Sequence, residues 1–294
     1  MRRIFVKCIS NILVCLMFFG ICCQFRCDAV EAGMNDSVKK AVDILRYFEF
    51  IPDYYDYNTD VTELATRADF VSAGAKLAGA SNYGGDGIYY YDVSNTHWAY
   101  NEINELTERG VLNGSGDKLF KPDDKILKTE AYKLILSLMG YKQYAETSGG
   151  YPNGYIIFAN KTGIAKGISG EEYVTLGDMF IMLYNAMRCE VADTTSFVGE
   201  NAKYTVLKGE TLMSLYHNIY HDIGIVTGVD FITLDGGSLS SKDEVKIDGD
   251  IYKSDILLTD KLGEEIEYFY SDNTNVDEKR VVWCTPTGKT DYLE

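Results

Sequence analysis

Three stretches of the chain share one pattern, a polar helix start followed by apolar residues at helical spacing. The starts are Thr66-Arg67-Ala68-Asp69, Leu127-Lys128-Thr129-Glu130 and Thr175-Leu176-Gly177-Asp178. In Thr-x-x-Asp the hydroxyl and the carboxylate together satisfy backbone N–H groups that a first helical turn leaves free. The second copy has lost its threonine. Behind each start the apolar positions fall at i, i+4, i+7 and i+8: Phe70, Gly74, Leu77, Ala78; Ala131, Ile135, Leu138, Met139; Met179, Leu183, Ala186, Met187. Such stripes predict three helices, each with one face in a core.

A further helix is expected upstream of each start. The middle one runs from Trp98 through Ala99, Ile103 and Leu106 to Gly110, which is placed to end it. The first uses Ala41, Ile44, Leu45 and Phe48 before Phe50-Ile51, and the third uses Ile156, Ile157 and Ala159 before Gly163-Ile164. Ile51 to Thr66 and Leu112 to Leu127 are both 15 residues, whereas Ala165 to Thr175 is 10, so a third copy is trimmed. Helix-loop-helix units of this size cannot bury a face alone, so three should pack into one helical domain.

Beyond Arg188 the period changes. Short alternating runs at Lys203–Leu207, Gly224–Val229, Val245–Asp248, Asp250–Leu258, Glu265–Tyr270 and Val281–Trp283 are separated by turn residues such as Asp235-Gly236-Gly237 and Asp248-Gly249. With one short helix around Glu210–Tyr220, this predicts a small antiparallel β domain over 200–294. The expected fold class is α+β, multidomain, a three-repeat all-α part followed by that β domain. The chain stops at Leu293-Glu294, shortly after a strand, which leaves its completeness open.

The N-terminus changes the compartment. Arg2, Arg3 and Lys7 precede an apolar run from Cys8 to Phe25, and Ala29 or Ala32 offers a cleavage point. Residues 1–29 therefore read as a secretory signal peptide, with an uncleaved membrane anchor as the competing reading. The chain has 28 basic and 44 acidic side chains, a formal charge of −16. Cleavage after Ala29 removes four basic residues and one acidic one, leaving −19, and takes five of the seven cysteines. Such acidity excludes a nucleic-acid partner. With only Cys189 and Cys284 left, packed cores rather than a disulfide framework must hold the fold. Whether those two pair or stay free thiols is open.

The stretch Tyr91-Asp92-Val93, His97-Trp98-Ala99-Tyr100, Ile103, Leu106, Arg109-Gly110-Val111-Leu112-Asn113-Gly114, Leu119-Phe120-Lys121-Pro122-Asp123 and Lys128-Thr129-Glu130-Ala131 resembles the S-layer homology (SLH) motif. The flanking copies fall where a three-repeat array of that family would put them, at 37–80, 88–142 and a shortened 143–190. The resemblance, to surface proteins of clostridial type, implies a pseudo-threefold helical spindle. It also implies binding to a secondary cell-wall polymer or peptidoglycan-linked glycan, often pyruvylated, on a bacterial surface. In the family the arginine of the Thr-Arg-Ala-Glu element, the motif's aromatic residue and nearby glycines line grooves between repeats. Matched position by position, the polymer-binding residues are Arg67, Lys128, Trp98 and Gly114. Lys128 keeps the charge but not the planar fork that grips a carboxylate, and Leu176 is a loss. At most two of three grooves therefore carry a cation.

Each of these has a plainer reading. Trp98 at a helix start belongs partly in the core. Arg67 faces an unfavourable dipole in a first turn, so it is either functional or paired with a local acid. The oxygen-rich loop Asp53–Asp60 lacks the glycine and glutamate of a calcium loop and reads as solvated. Tyr204–Leu212 resembles the opening of a LysM module, but a strand replaces its second half.

No catalytic constellation emerges. His217 and His221 are four apart, yet the glutamate that a zinc peptidase needs after its first histidine is missing. No Gly-x-Ser-x-Gly elbow, phosphate loop or Cys-His arrangement occurs. The leading expectation is a non-catalytic, secreted wall-surface protein that presents its β domain outward. It needs no cofactor, although calcium could bridge it to an anionic polymer, and self-association in a surface layer is open. The alternatives are a wall-anchored hydrolase and degenerate repeats serving as a protein–protein scaffold.

Overall fold

A computed structural model describes residues 34–80, 87, 89–113, 117–194, 205–273 and 278–290. The expected signal peptide, Gly114 and the first residues of the expected strand at Lys203 lie outside the described residues. Eight α-helices occur among the described residues: α1 (Asp36–Tyr47), α2 (Arg67–Leu77), α3 (Tyr100–Glu108), α4 (Lys128–Leu138), α5 (Lys142–Thr147), α6 (Asn153–Thr162), α7 (Leu176–Arg188) and α8 (Leu212–His217). Six strands follow: β1 (Ile219–Val229), β2 (Ile232–Thr233), β3 (Glu244–Ile247), β4 (Asp250–Ser254), β5 (Glu264–Asn273) and β6 (Glu278–Thr290).

The three helix starts converge. Ala65 N–H donates to the Val174 carbonyl at 2.9 Å, Val174 to Ile126 at 3.1 Å and Ile126 to Ala65 at 3.1 Å, a closed ring of backbone hydrogen bonds. All three residues are buried, so inside the core each of these N–H and C=O groups finds its partner in the ring. Outward from the ring the helices pack in a cycle, α2 on α3, α4 on α6, and α7 on α1. The caps at the starts differ as the sequence implied. Thr66 and Asp69 form the full reciprocal box, and at the second start only the Glu130 carboxylate remains, accepting from Leu127 N–H at 3.1 Å. At the third, Thr175 caps Asp178 N–H, while Asp178 turns to the Ser169 N–H and hydroxyl at 2.9 and 2.6 Å.

Two local expectations shift. In α6 the buried face is Tyr155, Phe158 and Ala159, while Ile156 and Ile157 are exposed. Helix α5 has no strong start signal and exists because Tyr144 and Ala145 are buried against α6. Gly154 sets that contact, since a Cβ there would stand 1.9 Å from the Ala145 carbonyl oxygen. Gly154→Ala should cost about 1–3 kcal/mol in denaturant unfolding by forcing the two backbones apart; a loss below about 0.5 kcal/mol would show that α5 gives way freely.

The sheet closes on itself. Its order is β2-β1-β3-β4-β6-β5, and a further antiparallel ladder joins β5 to β1. Val226, Val245, Ile247, Tyr252, Ile266, Tyr268 and Val281 fill the interior. The expectation of an antiparallel β domain is corrected at one place, because β4 and β6 run parallel, Lys253 opposite Arg280 and Ser254 opposite Val281. The reason is parity. Five strands (β1, β3, β4, β6, β5) close the ring, and an odd ring cannot alternate direction throughout. The expected helix through Tyr220 also ends early, with Asn218 in the left-handed region at φ 55° and β1 starting at Ile219.

The helices and the barrel share one compact unit, Asp36–Glu294. Glu267 of β5, 2% exposed, is the charge at their seam. It accepts from the Tyr184 hydroxyl at 2.6 and 2.7 Å, from His221 Nε2 at 2.9 Å, from Arg188 Nη1 at 3.4 Å and from Lys40 Nζ. Burial pushes its carboxyl up, but the hydrogen bonds from His221, Lys40 and Tyr184, with the Arg188 charge, outweigh this and hold it at about 2. Apolar contacts flank it, with the Phe48 and Phe269 rings 6.1 Å apart and Tyr216 of α8 against Gly79. Gly79 lies at φ +69°, and a Cβ there would come within 2.9 Å of the Tyr216 side chain.

Candidate functional site

The first two helix starts each place their second residue against the acid of the next start. Arg67 Nη1 lies 3.0 Å from Glu130 Oε1, its Nε donates to the Phe120 carbonyl at 3.0 Å, and its guanidinium lies 4.9 Å from the centre of the Phe120 ring. The acid paired with Arg67 comes from α4, at the next helix start, 63 positions on in sequence. Lys128 repeats the geometry in weaker form, with Nζ 3.7 Å from Asp178 Oδ2 and donating to the Ser169 carbonyl. At the third junction Leu176 is buried, and the Tyr55 hydroxyl donates to Asp69 Oδ1 at 3.1 Å instead. Burial and the Asp69 charge push the Tyr55 phenol well above its ordinary range.

The first junction opens into a lined cleft. About 230 Å³ lies between Arg67, Leu112, Asn113, Glu130, Lys133 and Tyr151. The Lys133 ammonium sits 5.3 Å from the Tyr151 ring centre and 5.9 Å from that of Tyr155, and no carboxylate among the described residues lies within ion-pair distance of it. Tyr151 is half exposed, and its hydroxyl shares a 2.9 Å hydrogen bond with Thr129. The cleft therefore offers a fork already gripped by one carboxylate, an unpaired ammonium and an aromatic face. Such a set suits an anionic sugar.

The three expected residues that are described, Arg67, Lys128 and Trp98, do not meet at one place. Arg67 lines this cleft and Lys128 lies at the next junction. Gly114 follows Asn113 but is outside the described residues. Trp98 is 52% exposed, stacks on His97 at 5.7 Å and is not among the residues lining the cleft. Its other half is covered, and the neighbouring Ala99 is fully buried. Lys133 and Tyr151 were not singled out from sequence. A signal for Tyr151 existed, since it precedes the cap of α6 as Trp98 precedes the cap of α3.

The remaining candidates serve the fold. His217 ends α8 and its Nε2 lies 3.0 Å from the Leu77 carbonyl, whereas His221 is on β1 and turns to Glu267. In the Asp53–Asp60 loop, Asp56 and Asp60 accept from the Asn58 and Thr62 backbones at 2.8 and 3.0 Å. Among the described residues no group of three or more His, Cys, Asp or Glu gathers as a metal site. Cys189 and Cys284 are free thiols. Burial pushes Cys189 up to about 11 and raises Cys284, so neither presents the thiolate a nucleophile needs.

Residues 89–131 match the family model described as the S-layer homology domain. The middle cell wall protein of Brevibacillus brevis is 30% identical over 193 residues, covering 62% of this chain and 17% of that protein. The surface layer protein of Brevibacillus choshinensis is 27% identical over 193 residues, covering 62% and 16%. Cell surface glycoprotein 1 of Acetivibrio thermocellus is 37% identical over 76 residues, 25% of this chain and 3% of that protein. The chain spans less than a fifth of the length of these relatives. They carry the names of surface proteins rather than of enzymes, and they do not single out a clostridial type.

Proposed function

From the premise that the chain is a secreted cell-surface protein with an S-layer homology domain, we propose that it is a non-catalytic wall anchor. In this reading three helical repeats, 37–80, 88–142 and 143–190, form a ring that binds an anionic secondary wall polymer. The 200–294 barrel then projects outward as a structural or assembly module of a surface layer. The observation that carries the reading is the first cleft, where Arg67, Lys133 and Tyr151 face one space between consecutive helix starts. Lys128 is a secondary contact, because Asp178 and Ser169 engage it. Trp98 and Gly114 keep the roles that the family resemblance implies. The third junction, with buried Leu176 and the Tyr55–Asp69 bond, fits a scaffold role instead.

The global charge opposes this binding. A mature protein of −19 is repelled by an anionic wall until salt shortens the field from about 30 Å at 0.01 M to about 10 Å at 0.1 M. Sedimentation with isolated walls should therefore increase over that salt range, and again when calcium is added at the lowest salt. A monotonic loss of binding with salt would mean that local cations outweigh the global charge. A hydrolase would instead clear a wall suspension or release muropeptides from it.

A further inference from the structure

The five strands that close the barrel have a connectivity of their own. Leaving out β2, the ring runs first, second, third, fifth, fourth and back to the first strand in chain order, and its parallel pair joins the third to the fifth. The first strand serves two neighbours along its length, β5 over Ile219–Ile225 and then β3 at Val226 and Gly228, across a bulge. This is the strand order of the oligonucleotide- and oligosaccharide-binding (OB) fold, whose ligands lie on the outer face of the second and third strands and against the loop that joins the first two. In this chain those are β3, β4 and the segment 230–243. The helices meet the barrel elsewhere, at β5, where Glu267 and Phe269 reach Lys40 and Phe48.

A fold assigns no ligand by itself, so the chemistry of this face decides. About 370 Å³ of groove lies between Ile225 and Thr227 of β1, Lys246 of β3, and Leu234 and Asp235 of the joining segment. That segment is fixed to the strand, because Leu234 N–H donates to the Thr227 carbonyl at 2.8 Å. Lys246 Nζ donates to Asp235 Oδ2 at 2.6 Å, and both groups stay within reach of solvent, their side chains 20% and 61% exposed. An ammonium has three donors, of which Asp235 takes one, and among the described residues no other acceptor takes the rest. The other Asp235 oxygen accepts from the Thr233 hydroxyl and from Gly237 N–H, and a carboxylate has about four acceptor sites.

A donor and an acceptor thus stand side by side, without net charge, next to the aliphatic side chains of Ile225 and Leu234. Two adjacent hydroxyls match them, one accepting from Lys246 and the other donating to Asp235. A nucleic-acid backbone would need unpaired cations, and Lys253, also on this face, is engaged by Asp243 and Glu244. We propose that this face of the barrel binds a neutral oligosaccharide, with neighbouring sugar hydroxyls on the Lys246–Asp235 pair and a C–H face of the sugar against Ile225 and Leu234. The site is independent of the anionic wall polymer assigned to the helical part.

The test is isothermal titration of the full mature chain with three neutral probes, an N-acetylglucosamine tetramer, cellotetraose and mannotetraose. At least one should bind saturably, with Kd in the range of about 0.1–1 mM. Its affinity should change less than about twofold between about 0.05 and 0.5 M salt, since no net charge is neutralised. Lys246→Met, which keeps an aliphatic stem, and Asp235→Asn should each weaken it about tenfold. Arg67→Ala, in the first cleft, should change it by less than about twofold. Unfolding midpoints establish that each variant remains folded. Absence of saturable binding by all three probes overturns the proposal, as does binding insensitive to Lys246→Met and Asp235→Asn in folded samples. Tighter binding of a short oligothymidylate than of any sugar would overturn it in favour of a nucleic-acid face. A sugar lost on Arg67→Ala instead would belong to the first cleft, which overturns the barrel site and leaves the wall-anchor reading intact.

Discussion

Replacing Glu267 with alanine should cost about 3 kcal/mol of stability, because it leaves the part-exposed Lys40, Arg188 and His221 and the Tyr184 hydroxyl without their shared buried acceptor. The loss would be felt on both sides of the seam, since the donors come from α1, α7 and β1. Glu267→Gln keeps one acceptor oxygen and should cost less than the alanine. The acid limb of stability gives an independent check. The folded carboxyl at about 2 lies below its ordinary 4.5, so its contribution is fully present above about pH 4.5 and is lost as pH falls towards 2. That difference is worth about 3 kcal/mol. Urea unfolding at pH 7, 4 and 3 should show wild type losing stability over this window and Glu267→Gln losing correspondingly less. A Glu267→Ala variant within about 1 kcal/mol of wild type, or an unchanged acid limb in the glutamine variant, would show that the seam rests on its aromatic contacts instead.

Arg67→Ala should lower wall affinity by about tenfold or more, with Lys128→Ala well behind it, about two- to threefold. The ranking follows from exposure and geometry. The Arg67 fork lines an open cleft beside unpaired Lys133, whereas the Lys128 ammonium is spent on Ser169 and Asp178 and its side chain is only 12% exposed. Arg67 also bridges two helix starts through Glu130, so affinity must be compared among variants whose unfolding midpoints are close. Lys133→Ala supplies that comparison, since this lysine has no ion pair among the described residues to lose. It should match Arg67→Ala in binding while leaving stability nearly unchanged. Equal effects of Arg67→Ala and Lys128→Ala, with Lys133→Ala silent, would contradict the assignment of the first cleft.

Local chemistry made the helix starts legible. A Thr-x-x-Asp cap acts over three residues and an apolar stripe over eight, so Thr66, Thr175 and their helices could be read directly, and Gly110 and Gly163 mark helix ends by their positive φ. What depends on distant partners was not readable. Glu267 is one acid among 44 in the sequence, and nothing near it announces Lys40, 227 positions away. Barrel closure and the parallel β4–β6 pair arise from global parity, which alternation along single strands does not encode. At the α3 start, Trp98 is half exposed while Ala99 is fully buried, a division between neighbours that residue type alone does not set. Lys133 stayed hidden because its neighbours Tyr151 and Tyr155 come from the next helical unit.

Co-sedimentation of the mature protein with isolated walls, before and after chemical extraction of the polymer, shows whether the chain holds to the wall through an anionic polymer. Binding to intact walls should be saturable, fall to background on extracted walls and return when purified polymer is reattached. Binding that survives extraction undiminished would contradict it.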